Sequence, residues 1–152
     1  MSEAADSGPH PLDTMLAVSE VLTNRRYATI YARVLECETP TVEEIAEGVD
    51  SSTTTVYEDV DYLREVGFLE RVTETQPHRY RARPVELTVQ TGEESQISPI
   101  LLVALARATS NENLKLYLNR HGIAGLATAV EYAREYVKGQ TNARLMSREL
   151  DI

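Results

Sequence analysis

The chain has 152 residues, a length that suits one domain or a small domain with an appendage. Hydrophobic residues make up 42% of it, enough for a buried core and too many for a disordered chain. A formal net charge of -9 and a pI near 4.8 have the wrong sign for a generic polyanion binder, whose affinity rests largely on neutralising phosphate.

The basic residues qualify that exclusion. Lysine occurs only at Lys115 and Lys138, with arginine at every other basic position, and Thr, Val, Asp and Glu are plentiful. This reads as a halophilic signature, an acidic surface that maintains solubility in concentrated salt. There the Debye length falls to ~3 Å or less, so the local distribution of charge informs more than its sum. The longest charge-free apolar run, Ile97 to Ala106, is about half of a ~20-residue membrane span. MSEAADSGPHPLD at the N-terminus lacks the apolar region of a secretory signal. A lone cysteine, Cys37, excludes an internal disulfide. The expectation is a cytoplasmic chain with no membrane partner.

Residues 1 to about 11 are expected to be a disordered tail. Leu12, Leu16, Val18, Val21 and Leu22 then suit a short helix. Thr23 can cap a second helix to about Glu36, with Tyr27, Ile30, Tyr31, Val34 and Leu35 as its apolar stripe. Thr39-Pro40 interrupts, because proline disfavours a helical residue before it. Thr41 with Glu44 three residues on forms a capping box for a short helix whose Ile45, Ala46 and Val49 face inward. Asp50 and Ser51 make a turn. Ser52 caps a longer helix, 52–66, with Val56, Val60 and Leu63 on its buried face and Gly67 as its stop. Phe68 and Leu69 anchor a hairpin of LERVTE and HRYRAR, joined near Thr75-Gln76-Pro77. Strand alternation puts Arg79, Arg81 and Arg83 on one face and Tyr80 and Ala82 on the other. Short helix, turn, longer helix and arginine-rich hairpin are the parts of a winged helix-turn-helix, which places one helix in the major groove of DNA.

Pro84 to Val89 could form another short strand, and QTGEESQ reads as a polar linker. Ser98 and Pro99 are an N-cap and first-turn proline, opening a helix, PILLVALARA, that is apolar nearly all round. A helix from about Asn111 to His121 should stop at Gly122. Another should run from Ile123 to Val137, lined by Leu126, Val130, Ala133 and Val137 and ended by Gly139. Thr141 to Leu150 suit a last helical turn or two. The expected fold class is mainly α with a small β-hairpin wing: a winged helix-turn-helix over 12–90, then a C-terminal helical dimerisation or regulatory region over 97–152. Ile100, Leu101, Val103, Leu105, Leu126, Val130 and Val137 either meet a second subunit or pack on their own domain, and the first helix is a further candidate for contact between subunits. The tail helices could also take a small apolar effector, whose identity stays unknown.

The candidate DNA-binding residues follow from the helix face and the wing. Ser52, Thr53 and Thr54 form a hydroxyl-rich tip, and Tyr57 lies on the same outward side. Hydroxyls bond phosphate oxygens or base edges, and a helix N-terminus attracts phosphate. Thr41, Arg71, His78, Arg79 and Arg81 complete the set, with the wing on the backbone or in the minor groove. Glu58 and Asp61 are awkward beside DNA unless they accept from cytosine or lie beyond the contacted turn. Cys37, His10, His78 and His121 have no metal-ligand spacing, and no phosphate loop or catalytic motif is present. No metal, no cofactor and no enzymatic activity are expected.

The stretch Asn24 to Leu69, with its EIAE, TVYEDV and LREVGFL, resembles the DNA-binding domain of ArsR-like and TrmB-like prokaryotic regulators. The whole chain, with ISPILLVALAR, YLNRHGIAGLATAVEYAREYV and RLMSREL in its tail, resembles a haloarchaeal family of uncharacterised winged-helix regulators. The resemblance implies a homodimeric transcription factor whose winged helix sits on an operator half-site of double-stranded DNA. The tail departs from the larger families, having neither the metal ligands of ArsR sensors nor the sugar-binding domain of TrmB-like regulators. The alternative is a winged-helix protein-protein interaction module that does not bind DNA directly.

Overall fold

In the computed structural model, which describes residues 10–137, apolar residues at helical spacing form two α-helices before the helix-turn-helix. Helix α1 spans Pro11–Thr23 and buries Ala17, Val18 and Val21. It leaves Leu12 and Leu16 in solvent. Helix α2 spans Arg25–Glu36. Its cap is Asn24, which accepts from the Arg26 amide at 3.2 Å. Thr23, expected in that role, instead ends α1 and donates its hydroxyl back to the Ser19 carbonyl at 3.0 Å. Ile30, Tyr31 and Val34 are buried as expected, together with Ala28 and Ala32, whereas Leu35 is exposed.

Helix α3, Val42–Glu47, starts on the expected capping box: Thr41 Oγ1 accepts from the Glu44 amide at 3.2 Å, and the Thr41 amide donates to Glu44 Oε1 at 3.0 Å. Helix α4, Thr53–Glu65, buries Val56, Val60 and Leu63. It ends at Gly67, whose φ of 92° is free of the Cβ penalty. The Phe68 amide reaches the Leu63 carbonyl at 2.8 Å and the Gly67 amide reaches Arg64 at 3.2 Å, the paired bonds of a Schellman stop. The hairpin follows at once. Strand β1, Leu69–Arg71, pairs antiparallel with β2, Tyr80–Ala82, in the register Leu69↔Ala82, Glu70↔Arg81 and Arg71↔Tyr80. Tyr80 and Ala82 are buried and Arg81 is exposed, as alternation requires. A bridge from Thr41 to Arg79, and a bond from the Tyr80 amide to the Pro40 carbonyl at 3.0 Å, tie the start of α3 to the wing.

The chain divides into two compact units, one up to Pro84 and one from Val85. In the second, β3 (Leu87–Gln90) pairs antiparallel with β4 (Glu94–Ile97). QTGEESQ, expected as a linker, is therefore the turn and second strand of a hairpin. Its strand residues are polar because both sides are largely exposed, which removes the hydrophobic signal. Gly92, at φ 107°, makes the turn. Helix α5, Pro99–Arg107, begins after Ser98 as expected, although that cap makes no side-chain hydrogen bond. Helix α6, Glu112–Val137, breaks at Gly122, where φ 74° and ψ -177° are non-helical, as the expected stop at this glycine requires. Side chains beyond Tyr136, Val137 included, and the expected turn over Thr141 to Leu150, lie outside the described residues.

The fold class is thus mainly α with a small antiparallel wing. Gly122 sits in a region of backbone space open essentially to glycine alone. Gly122→Ala should therefore destabilise the second unit by about 1 kcal/mol or more. A melting temperature unchanged by calorimetry would refute that account of the break.

Candidate nucleic-acid interface

Helix α4, the second helix of the helix-turn-helix and so the one expected as its recognition helix, presents its tip outward. Ser52 is its N-cap, and Ser52 Oγ accepts from the Thr55 amide at 3.2 Å and donates to Thr55 Oγ1 at 3.1 Å. Ser52, Thr53 and Thr54 are exposed. The first turn of a helix carries amides without intrahelical acceptors and a partial positive charge, so hydroxyls here flank a site suited to an anion.

Tyr57, one turn further on, is also exposed and donates from its hydroxyl to Glu43 Oε2 at 3.1 Å. That hydrogen bond, and then the Glu43 charge, hold the phenol above its ordinary pKa. Tyr57 therefore stays a neutral donor on the outward face. Glu58 and Asp61 are exposed beside it.

The wing arginines are paired but not buried. Arg81 Nη2 lies 2.7 Å from Glu70 Oε2, its cross-strand neighbour, and the Arg81 side chain remains 61% exposed. Arg79 Nη1 donates to the Thr39 carbonyl at 2.9 Å and lies 3.5 Å from Glu44 Oε1, with 40% of its side chain exposed. Arg71 is exposed at the end of β1, and His78 is half-buried. Thr41, like the N-cap Ser52, has a plain structural task. It is buried and its hydroxyl accepts from the Glu44 amide in the α3 cap.

Sequence reasoning missed the tertiary contacts of three acids here. Glu43 and Glu44, in the first turn of α3, link Tyr57 of the recognition helix to Arg79 of the wing. The third, Asp59, lies on the recognition helix with only 4% of its side chain exposed. Arg26, at the start of α2, donates to both its oxygens, from Nε at 2.5 Å and Nη2 at 3.1 Å. The bond to Asp59, opposed by desolvation, raises the Arg26 pKa. A two-point grip of this kind fixes the rotation of one helix against another. Next to it Tyr27 stacks on Tyr62 at 4.7 Å between ring centroids, a second contact between the same two helices. The signal was present: Val56, Asp59, Val60 and Leu63 occupy i, i+3, i+4 and i+7, so a carboxylate sits on the buried stripe.

The residues expected at a subunit interface separate in the same way. Leu101, Leu105 and Leu126 are buried within the chain itself, so their side chains are not available to a second copy. Helices α5 and α6 pack on each other, and α6 also packs on β4. Ile100 is exposed, and Val103 and Val130 are half-buried. Among the described residues no cluster of His, Cys, Asp and Glu could hold a metal ion, and no helix is long and apolar enough to cross a membrane.

Residues 25–86 match the family model of the sugar-specific transcriptional regulator TrmB, a span that runs from the start of α2 through the wing. Residues 108–152 match the model of a family of unknown function, DUF7437. No curated protein and no solved structure matches the chain. With the family match and the geometry in agreement over the same residues, the chain carries the winged helix-turn-helix DNA-binding domain of a transcriptional regulator.

Proposed function

We propose that the chain is a sequence-specific regulator that binds double-stranded DNA as a homodimer, with α4 in the major groove and the wing against the adjacent backbone or minor groove. The observation that supports this most is the exposure, within one unit, of the Ser52–Thr54 tip and of the Arg79 and Arg81 guanidinium groups. Their ion pairs do not block the role. Exposed pairs contribute roughly 0.2–1 kcal/mol each, less than a charge-assisted bond from arginine to phosphate in a partly dehydrated interface. Approach of a duplex would move each guanidinium from a glutamate to a phosphate.

Thr53, Thr54 and Tyr57 are the residues assigned to base edges, and Ser52, Arg71, His78, Arg79 and Arg81 to the backbone. Thr41, buried in the α3 cap, is the least accessible of the expected set. A single winged helix covers few base pairs, and two copies would read half-sites separated by about 34–36 Å or a multiple of it. Of the described side chains expected for that pairing, exposed Ile100 and half-buried Val103 and Val130 are accessible.

The test is selection from a random duplex library with the full-length chain in concentrated potassium chloride. Enrichment of a two-fold symmetric site supports the reading. Thr54→Ala should then relax preference at one position in each half-site, by about 1 kcal/mol or somewhat more. A second reading is favoured by exposed Glu58 and Asp61 on the outward face of α4: a protein-interaction module with no affinity for DNA. Failure to retain any duplex at any salt concentration would select it.

A further inference from the structure

Helix α1 turns Ala17, Val18 and Val21 into the core and leaves Leu12, Met15 and Leu16 outside. These three stand at i, i+3 and i+4, so they share one face. Leu12 and Leu16 are 59% and 63% exposed. In a chain that is 26% charged, three large apolar side chains in one outward strip require a reason.

Leu16 is also the edge of a groove of about 510 Å³. One wall is α1, through Asp13, Leu16, Ala17 and Glu20, and the other is the end of the recognition helix, through Tyr62, Glu65 and Val66. The apolar part is held in place, because Tyr62 stacks on Tyr27 and Ala17 is buried. The charged lining is of one sign: Asp13, Glu20 and Glu65, with no lysine or arginine. Burial, followed by the charges of Glu20, Tyr27 and Glu65, raises the Tyr62 pKa, so its hydroxyl remains neutral beside those acids.

We propose that this groove, with the Leu12–Leu16 strip beside it, docks a basic amphipathic helix of a partner protein. Its leucine-like side chains would enter between Leu16 and Tyr62, and its lysines or arginines would meet Asp13, Glu20 and Glu65. The acidic rim argues against the other occupants. A second copy laid on the same surface would oppose carboxylate to carboxylate, and anionic lipid headgroups would be repelled. The site is compatible with a duplex at the tip, since the 13 residues of α4 separate its two ends by about 18 Å. It holds whether or not α4 binds DNA.

The experiment measures fluorescence anisotropy with the full-length chain and a labelled synthetic peptide. The peptide carries leucines at i, i+3, i+4 and i+7 on one helical face and lysines on its flanks. A scrambled peptide of identical composition controls for net charge. The patterned peptide should bind roughly tenfold tighter or more than the scrambled one. L16E should remove that difference even though it adds a negative charge, while E93Q, on the turn between β3 and β4, should leave it intact. Circular dichroism checks that L16E is folded, and L12E serves as the second variant. Equal binding of the two peptides, or an unchanged preference in both folded variants, would overturn the proposal. So would a dimer that excludes the peptide and falls apart on L16E, because a second copy would then occupy the groove.

Discussion

Replacing Arg79 and Arg81 together by glutamate should weaken binding to duplex DNA of every sequence on the order of 50-fold near 0.1 M salt. Each arginine that neutralises one phosphate contributes about 0.9 to the slope of log affinity against log salt, so the slope should also become shallower by about 2. The positions of the two side chains make the effect uniform across sequences. They belong to the wing and not to the Ser52–Thr54 tip that would face base edges, and backbone contacts carry no sequence information. The present partners predict an opposite companion effect. Glu70→Gln releases the Arg81 guanidinium from its cross-strand carboxylate, and should raise affinity modestly while leaving the selected site unchanged. Titration of labelled duplexes at several salt concentrations reads both. An affinity and slope that survive the double reversal would remove the wing from the interface.

Arg26→Met should lower stability by about 2–3 kcal/mol. The substitution preserves an unbranched apolar stem against Tyr27, over which the guanidinium carbon now sits at 5.5 Å from the ring centroid. What it removes is the cation that faces a carboxylate with 4% of its side chain exposed. Loss of one partner from a fully buried pair costs about 3–5 kcal/mol, and the lower figure here reflects the 43% exposure of the Arg26 side chain, through which water reaches the pair. Adding Asp59→Leu to Arg26→Met should recover most of the loss, since the orphaned charge is then gone. The measurement is the denaturant midpoint of the single and double variants. A single variant within ~0.5 kcal/mol of the parent chain would show that Asp59 finds water or another donor without Arg26.

Much of the first unit was legible because its signals are local. The Thr41–Glu44 box, the Ser52 cap, the Gly67 stop and the alternation at Tyr80, Arg81 and Ala82 each depend on residues within one turn or one strand, and all stand where sequence places them. The Gly122 break belongs to the same class. Misses fall where local signals are weak. Asn24 and Thr23 are adjacent and both can cap, so their difference is decided by where α1 ends. The β3–β4 hairpin is mostly exposed and polar, and pairing rather than hydrophobic alternation makes it.

Residues far apart in the chain account for the rest. Arg26 and Asp59 are 33 positions apart, Tyr57 and Glu43 14, and Arg79 and Glu44 35. Composition and helical period determined by themselves that this chain would build a winged helix-turn-helix with a hydroxyl tip and a basic hairpin, because capping, periodicity and strand alternation act over a few residues. Which charges would face one another, which leucines would be buried in the chain's own core and which apolar strip would be left uncovered were decided only by tertiary packing. Helix propensity and hydrophobic pattern specify that a face is buried, whereas the element that covers it is chosen by the geometry of the folded chain.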